Sequence, residues 1–136
     1  MKIIVCLDER NGMSFCGKRQ SMDRNLRQHV AGVVQNGRLW MNAYSAGQFA
    51  DTSMRIQVEE DFLNKAGCED YCFVENQDLR IYIDKIDELI VYRWRRIYPS
   101  DLTFPMDAVK DSFRLLSTQT LTGYSHEQIL QEVYQR

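Results

Sequence analysis

The chain has 136 residues, enough for one domain with one sizeable core and too few for two ordinary ones. Hydrophobic residues make up 44% and charged residues 26%, the balance of a soluble globular protein. A net charge of −2 gives no general attraction to nucleic acid, and no apolar run approaches the length that spans a bilayer.

In chain order, Lys2 to Leu7 is a nearly continuous apolar run rich in β-branched residues. Such a run suits a strand covered on both faces, as in a sheet between helices. Asp8 interrupts it too early for a secretory segment, so the chain reads as cytoplasmic. Asn11-Gly12 marks a turn and a polar loop follows. Ser21 is a candidate N-cap for a helix over 22–34, with Met22, Leu26, Val30 and Val33 on one side and Asn36-Gly37 as its stop. A second buried strand is expected over 38–44, a helical turn over 45–49, a third strand over 54–59 and a fourth over 70–74. Leu79, Tyr82, Ile83 and Ile86 mark a short amphipathic helix, and 89–94 is the strongest strand after the first. Residues 113–122 supply a further strand. Ser125 to Gln128 has capping-box spacing and predicts a last helix with Ile129, Leu130 and Val133 inward. Strands alternating with helices imply one α/β domain over residues 1–136, with a mostly parallel sheet.

Few residues suggest chemistry by themselves. The four cysteines read as reduced structural thiols, because Cys68 and Cys72 lack the two further ligands that zinc requires. Cys16 stands beside Gly17-Lys18-Arg19, a basic setting for a thiol, but no histidine is placed next to it. His29 reads as half-buried and structural, and His126 fits the first turn of the last helix. No nucleophile elbow, phosphate loop or zinc-protease motif occurs.

Two stretches carry a resemblance. The first strand followed by Leu7-Asp8-Glu9-Arg10-Asn11-Gly12-Met13 is similar to the opening of dihydrofolate reductases. Arg80 to Trp94, with Asp101-Leu-Thr-Phe-Pro105, resembles that family's helix, central strand and Asp-Thr-x-Phe-Pro segment. Leu39-Trp40-Met41 with Ser45 stands for the strand and helix start between them. The residues after 107 depart from the pattern, since the family ends in a hairpin and 125–135 reads as helical. The resemblance implies a single-domain, dihydrofolate-reductase-like three-layer fold.

It also implies a site. Asp23 takes the place of the family's pterin-binding acid, where a carboxylate would pair with an amidine-like ring edge; an acid is equally suited to a helix's first turn. The family's Gly-Gly pair, whose backbone approaches NADPH, is replaced by Glu75-Asn76. Its Gly-Arg-x-Thr sequence is replaced by Asn42-Ala43-Tyr44-Ser45. No normal NADPH site is therefore expected, and no other cofactor or metal. Lys18, Arg19, Arg24 and Arg27 surround the first helix start, while Arg93, Arg95 and Arg96 interleave with Tyr92, Trp94 and Tyr98. Guanidinium groups with aromatic faces suit a small, flat, anionic ligand such as a nucleotide or pterin, with Arg19, Asp23, Tyr92, Arg93 and Trp94 as its contacts. A solvated edge of surface ion pairs is the alternative reading of the same residues. An altered reductase and a non-catalytic, homo-oligomeric scaffold using the last helix are alternative functions. No nucleic-acid-binding motif is present.

Overall fold

The computed structural model describes every residue except Asp51. Its elements are β1 (Lys2–Leu7), β2 (Gly12–Phe15), β3 (Lys18–Arg19), α1 (Arg24–Val34), β4 (Leu39–Met41), α2 (Ala43–Ala46), β5 (Ile56–Val58), α3 (Phe62–Lys65), β6 (Tyr71–Val74), β7 (Glu88–Arg93), β8 (Leu102–Thr103), α4 (Met106–Ser112), β9 (Arg114–Leu121) and β10 (Ile129–Gln135), with 3-10 turns at Gly47–Phe49 and Arg80–Lys85. One sheet runs β5-β4-β6-β1-β7-β10-β9, and a small second sheet runs β3-β2-β8. Strands β5, β4, β6, β1 and β7 are parallel; β10 and β9 complete the edge antiparallel.

The continuous apolar runs of β1 and β7 are explained by layers on both sides of the sheet. Ile3, Val5, Leu7, Leu89 and Val91 face one core with Leu79, Met106 and Val109. Ile4, Ile90 and Tyr92 face the other with Leu26, Val30 and Val34 of α1. Side chains alternate across a strand, so a strand buried on both faces has no room for a polar residue until it ends. This is the expected three-layer α/β architecture with a mostly parallel sheet.

Several expected elements differ: the short helix expected from Leu79 to Ile86 is a 3-10 turn, and the strand expected over 38–44 ends at Met41, where Asn42 caps α2. The first helix begins at Arg24, capped by Asp23 rather than Ser21: the Asp23 carboxylate accepts the amides of Asn25 at 2.9 Å and Leu26 at 3.2 Å. Met22 thus falls outside the helix and is exposed. The larger difference is at the end of the chain, where the expected helix is the strand β10, paired with β7 on one side and β9 on the other. Ile129 and Gln131 are buried in alternation, a period of two that the apolar residues alone left undecided between helix and strand. The capping-box residues instead belong to the β9–β10 connection. The chain therefore ends in a hairpin, and the departure expected after residue 107 does not occur. The loop expected after Asn11-Gly12 also contains structure, since β2 pairs with both β3 and β8.

Candidate functional site

At the carboxyl ends of the parallel strands the sequence turns from apolar to polar: β1 runs into Asp8, β4 into Asn42, β6 into Glu75 and β7 into Trp94. Asp8, Asn42, Ser45, Glu75, Asp23 and His126 are all buried along this edge. Open α/β sheets bind ligands at such an edge, where connections leave a central strand in opposite directions. Here β1 lies between β6 and β7.

One end of this edge is closed by an ion pair. Arg19 reaches from β3 across the strand ends, donating through Nε to Glu75 at 2.9 Å and through Nη2 to its other carboxylate oxygen at 3.2 Å. Its backbone amide donates to the Tyr44 hydroxyl, and its guanidinium lies 4.2 Å from the Tyr44 ring centre. The Glu75 side chain is only 5% exposed, so the pair is largely withdrawn from water and fixes β3 in place. Beside it, Asn42 caps α2 by accepting the Ser45 amide, and the Ala43 amide donates to the Glu60 carboxylate at 2.9 Å. Asn76 links Asn42 to the carbonyl of Gly17. The Ala43 and Ser45 amides at this helix start are thus already bound to this chain's own acceptors. Cys6, half-buried nearby, has its thiol pushed well above the ordinary range by desolvation and then by Glu75.

The other end is organised by Asp23. One carboxylate oxygen accepts the amides of Asn25, Leu26 and Tyr124; the other accepts the Ser125 amide, the Ser125 hydroxyl and Nδ1–H of His126 at 3.0 Å. Burial opposes its ionisation, but the Tyr124 amide, His126 and the Ser125 and Leu26 amides outweigh that and hold the carboxyl well below the usual range. An ionised carboxylate only accepts, so Nδ1 of His126 carries a proton, and in the neutral imidazole Nε2 is then an acceptor. Nε2 lies 2.9 Å from the Ser21 hydroxyl. The imidazole also stacks on Trp94, ring centres 4.7 Å apart. The 122–128 loop is held on α1 by Asn25, which donates to the Thr122 carbonyl, and by Arg24 over the Tyr124 ring. Gly123 is required there, since a Cβ would stand 2.3 Å from the His126 carbonyl oxygen and 2.9 Å from the Asp23 carboxylate.

The expected contacts are therefore distributed unevenly. Asp23 and Trp94 meet at His126, while Arg19 belongs to the Glu75 end. Tyr92 offers no face for stacking, because its side chain is fully buried with its hydroxyl 2.8 Å from His29 Nδ1. Arg93 is held by Glu132 at 2.8 Å, by the Asp8 carbonyl and by Asn11. A cleft of about 150 Å³ opens beside the stacked pair, lined by Trp94, Arg95, Arg96, His126, Glu127 and Gln128. A larger one, about 560 Å³, lies against the opposite core layer at Phe104 and Met106; another of about 880 Å³ opens at the amino ends of β4 and β5. Neither contains an expected contact. Ser21 and His126 lie 105 residues apart in the chain, and no spacing in the sequence connects them. Among the described residues no group of His, Cys, Asp and Glu side chains is placed to hold a metal ion, and no helix is long and apolar enough to cross a membrane.

No family model matches the sequence, and no curated protein matches it. Among solved structures, the chain is similar to the dihydrofolate reductase from Enterococcus faecalis, determined in complex with NADP(H) and RAB-propyl. The TM-score is 0.69 at 13% identity, covering 99% of this chain and 95% of that one. The chain thus has the dihydrofolate-reductase fold, in a strongly divergent sequence.

Proposed function

We propose that this protein binds a small, flat, anionic ligand of the nucleotide or pterin kind at the carboxyl edge of its sheet, in the cytoplasm, and does not use NADPH. The carrying observation is the pair of carboxylates, Glu60 and Glu75, at the two positions where the family resemblance would set dinucleotide phosphates. Glu60 occupies the Ala43 amide, and Glu75 is locked to Arg19. A phosphate would have to displace Glu60 from the Ala43 amide and disrupt the largely buried Glu75–Arg19 pair, in which the guanidinium is already committed to a carboxylate. These residues do not fit the dinucleotide.

The ligand-facing surface in this reading is the cleft beside His126, with Trp94 buried behind the imidazole; Arg96 and Arg95 supply positive charge, balanced in part by Glu127 and by Glu9, which pairs with Arg95 at 3.7 Å. Asp23, Arg19, Tyr92 and Arg93 act from behind, holding the loops and strand ends that shape it. Calorimetric titration with a panel of nucleotides and pterins tests binding, and the expected result is saturable heat with at least one member. NADPH with dihydrofolate should show no protein-dependent loss of nicotinamide absorbance. No binding by any member, or substrate-dependent NADPH oxidation, would overturn the reading.

A second reading is assembly. Strand β9 is an edge strand of eight residues, exposed almost throughout, with Leu115 and Leu116 in solvent and no charge after Arg114. Unprotected edges of this kind pair with other strands. Sedimentation of the wild type and of Leu116→Lys distinguishes a β9-paired dimer from a monomer.

A further inference from the structure

The chain Ser21 Oγ–His126 Nε2, His126 Nδ1–Asp23 Oδ2 has spacings of 2.9 and 3.0 Å. This is the relation of a nucleophile, a general base and the carboxylate that orients the base, a constellation recognised by geometry and not by order in the sequence. Three further features separate it from an incidental surface contact. The Asp23 side chain is fully buried and ionised, held by backbone amides on both oxygens. The imidazole is fixed in plane by Trp94, and its tautomer is set by Asp23, leaving the lone pair on Nε2 toward the hydroxyl. Ser21 is partly exposed at the end of β3, and the cleft holding Arg95 and Arg96 adjoins the same imidazole.

We infer that Ser21, His126 and Asp23 form an acyl-transfer site that hydrolyses small esters carrying a second, anionic group. The Ser21 oxygen attacks the ester carbonyl carbon as its proton passes to His126 Nε2, and the carbonyl electron pair moves onto oxygen. Collapse breaks the bond to the leaving alkoxide, which takes the proton from Nε2 and departs as the alcohol. Water then attacks the Ser21 ester, giving its proton to Nε2. The carboxylic acid leaves, and that proton returns to Ser21 Oγ. Asp23 touches no substrate; it is a positioning residue that keeps Nδ1 protonated. The cleft of about 150 Å³ beside His126 holds about five water volumes, so the anionic group it takes is a small one. Arg96, with Arg95 in an exposed ion pair to Glu9 at 3.7 Å, favours a carboxylate or phosphate there. The inference goes beyond ligand binding, and the titration above reads binding alone. Binding without turnover would overturn the acyl-transfer step and leave the binding reading standing.

The test uses the full chain. A fluorophosphonate probe should add once per chain, on Ser21 by peptide mapping, with no adduct in Ser21→Ala. His126→Gln should slow the addition by about 10²–10⁴-fold, the range for a general base. With p-nitrophenyl acetate and the p-nitrophenyl half-ester of succinate, the anionic ester should turn over faster. Asp23→Asn retains an N-cap residue. Read at a temperature where the variant remains folded, it should lower kcat by at least about 10²-fold with KM little changed, a split that a merely structural role would not produce. An unlabelled Ser21, labelling as fast in His126→Gln as in wild type, or full esterase activity in Ser21→Ala would each overturn the proposal.

Discussion

The two ends of the strand-edge crevice both bury a carboxylate, and they use it in opposite ways. Glu75 is bound to a guanidinium, which cannot give up its proton at any ordinary pH, so the pair is a fixed strut between β3 and β6. Asp23 is bound to an imidazole, whose second nitrogen faces a hydroxyl. The acid is equally buried in each case; the partner decides whether it is a structural tie or part of a proton path.

The largest expected effect breaks the Glu75 end. Arg19→Met should destabilise the protein by about 3–5 kcal/mol in urea unfolding, because it leaves a buried charge without its partner. Arg19→Met combined with Glu75→Met should recover much of that loss; a double variant as unstable as the single would mean that the strut matters by shape and not by charge.

Next comes the His126 end. Gly123→Ala forces a Cβ against the His126 carbonyl oxygen and the Asp23 carboxylate. A cost of about 1–3 kcal/mol is expected, the range for overpacking, and Ser21 labelling should slow along with it. Unchanged stability would show that the 122–128 loop moves freely away from Asp23.

Acid sharpens the contrast further. Asp23 titrates well below its ordinary value in the folded state, so the unfolded chain binds more protons as pH falls below about 3.9. Its contribution is fully present above that value and is lost as pH drops through the folded one. Asp23→Asn should therefore flatten the fall of unfolding free energy below about pH 4. Asp8, also lowered against the opposing effect of burial by the amides of Gly12, Tyr98 and Arg10 and by Gln20, accounts for part of the slope that remains.

The smallest effect concerns His29, whose pKa is lowered by burial beside Tyr92. Its neutral form is favoured in the fold, so stability is present above the unfolded value of about 6.5 and lost as pH falls through the lower folded one. A loss below about 1 kcal/mol is expected between pH 7 and pH 5.5, absent in His29→Gln. A larger loss would place the second histidine of the chain in the site's energetics as well.

Much of the fold was legible because its cause is local. The apolar runs of β1 and β7 could only be strands covered on both faces, and the order of motifs from residue 2 to 107 carried the resemblance. The missing glycine pair was equally plain, since Glu75 and Asn76 are visible as letters. The β10 error has a local cause too: Ile129, Leu130 and Val133 satisfy a helix as well as a strand. Only the hydrogen-bonding edges of β7 and β9, supplied from elsewhere in the chain, select the strand.

The sequence by itself determined the layered α/β architecture and the presence of an acid at the start of the first helix. The tertiary structure alone decided what that acid does. Position 126 lies more than a hundred residues from positions 21 and 23, with no periodicity connecting them. Their meeting depends on the β9–β10 hairpin closing beside β7, which carries the 122–128 loop onto α1. Hydrogen bonds between side chains so far apart in sequence form through space, after the sheet has set the distances.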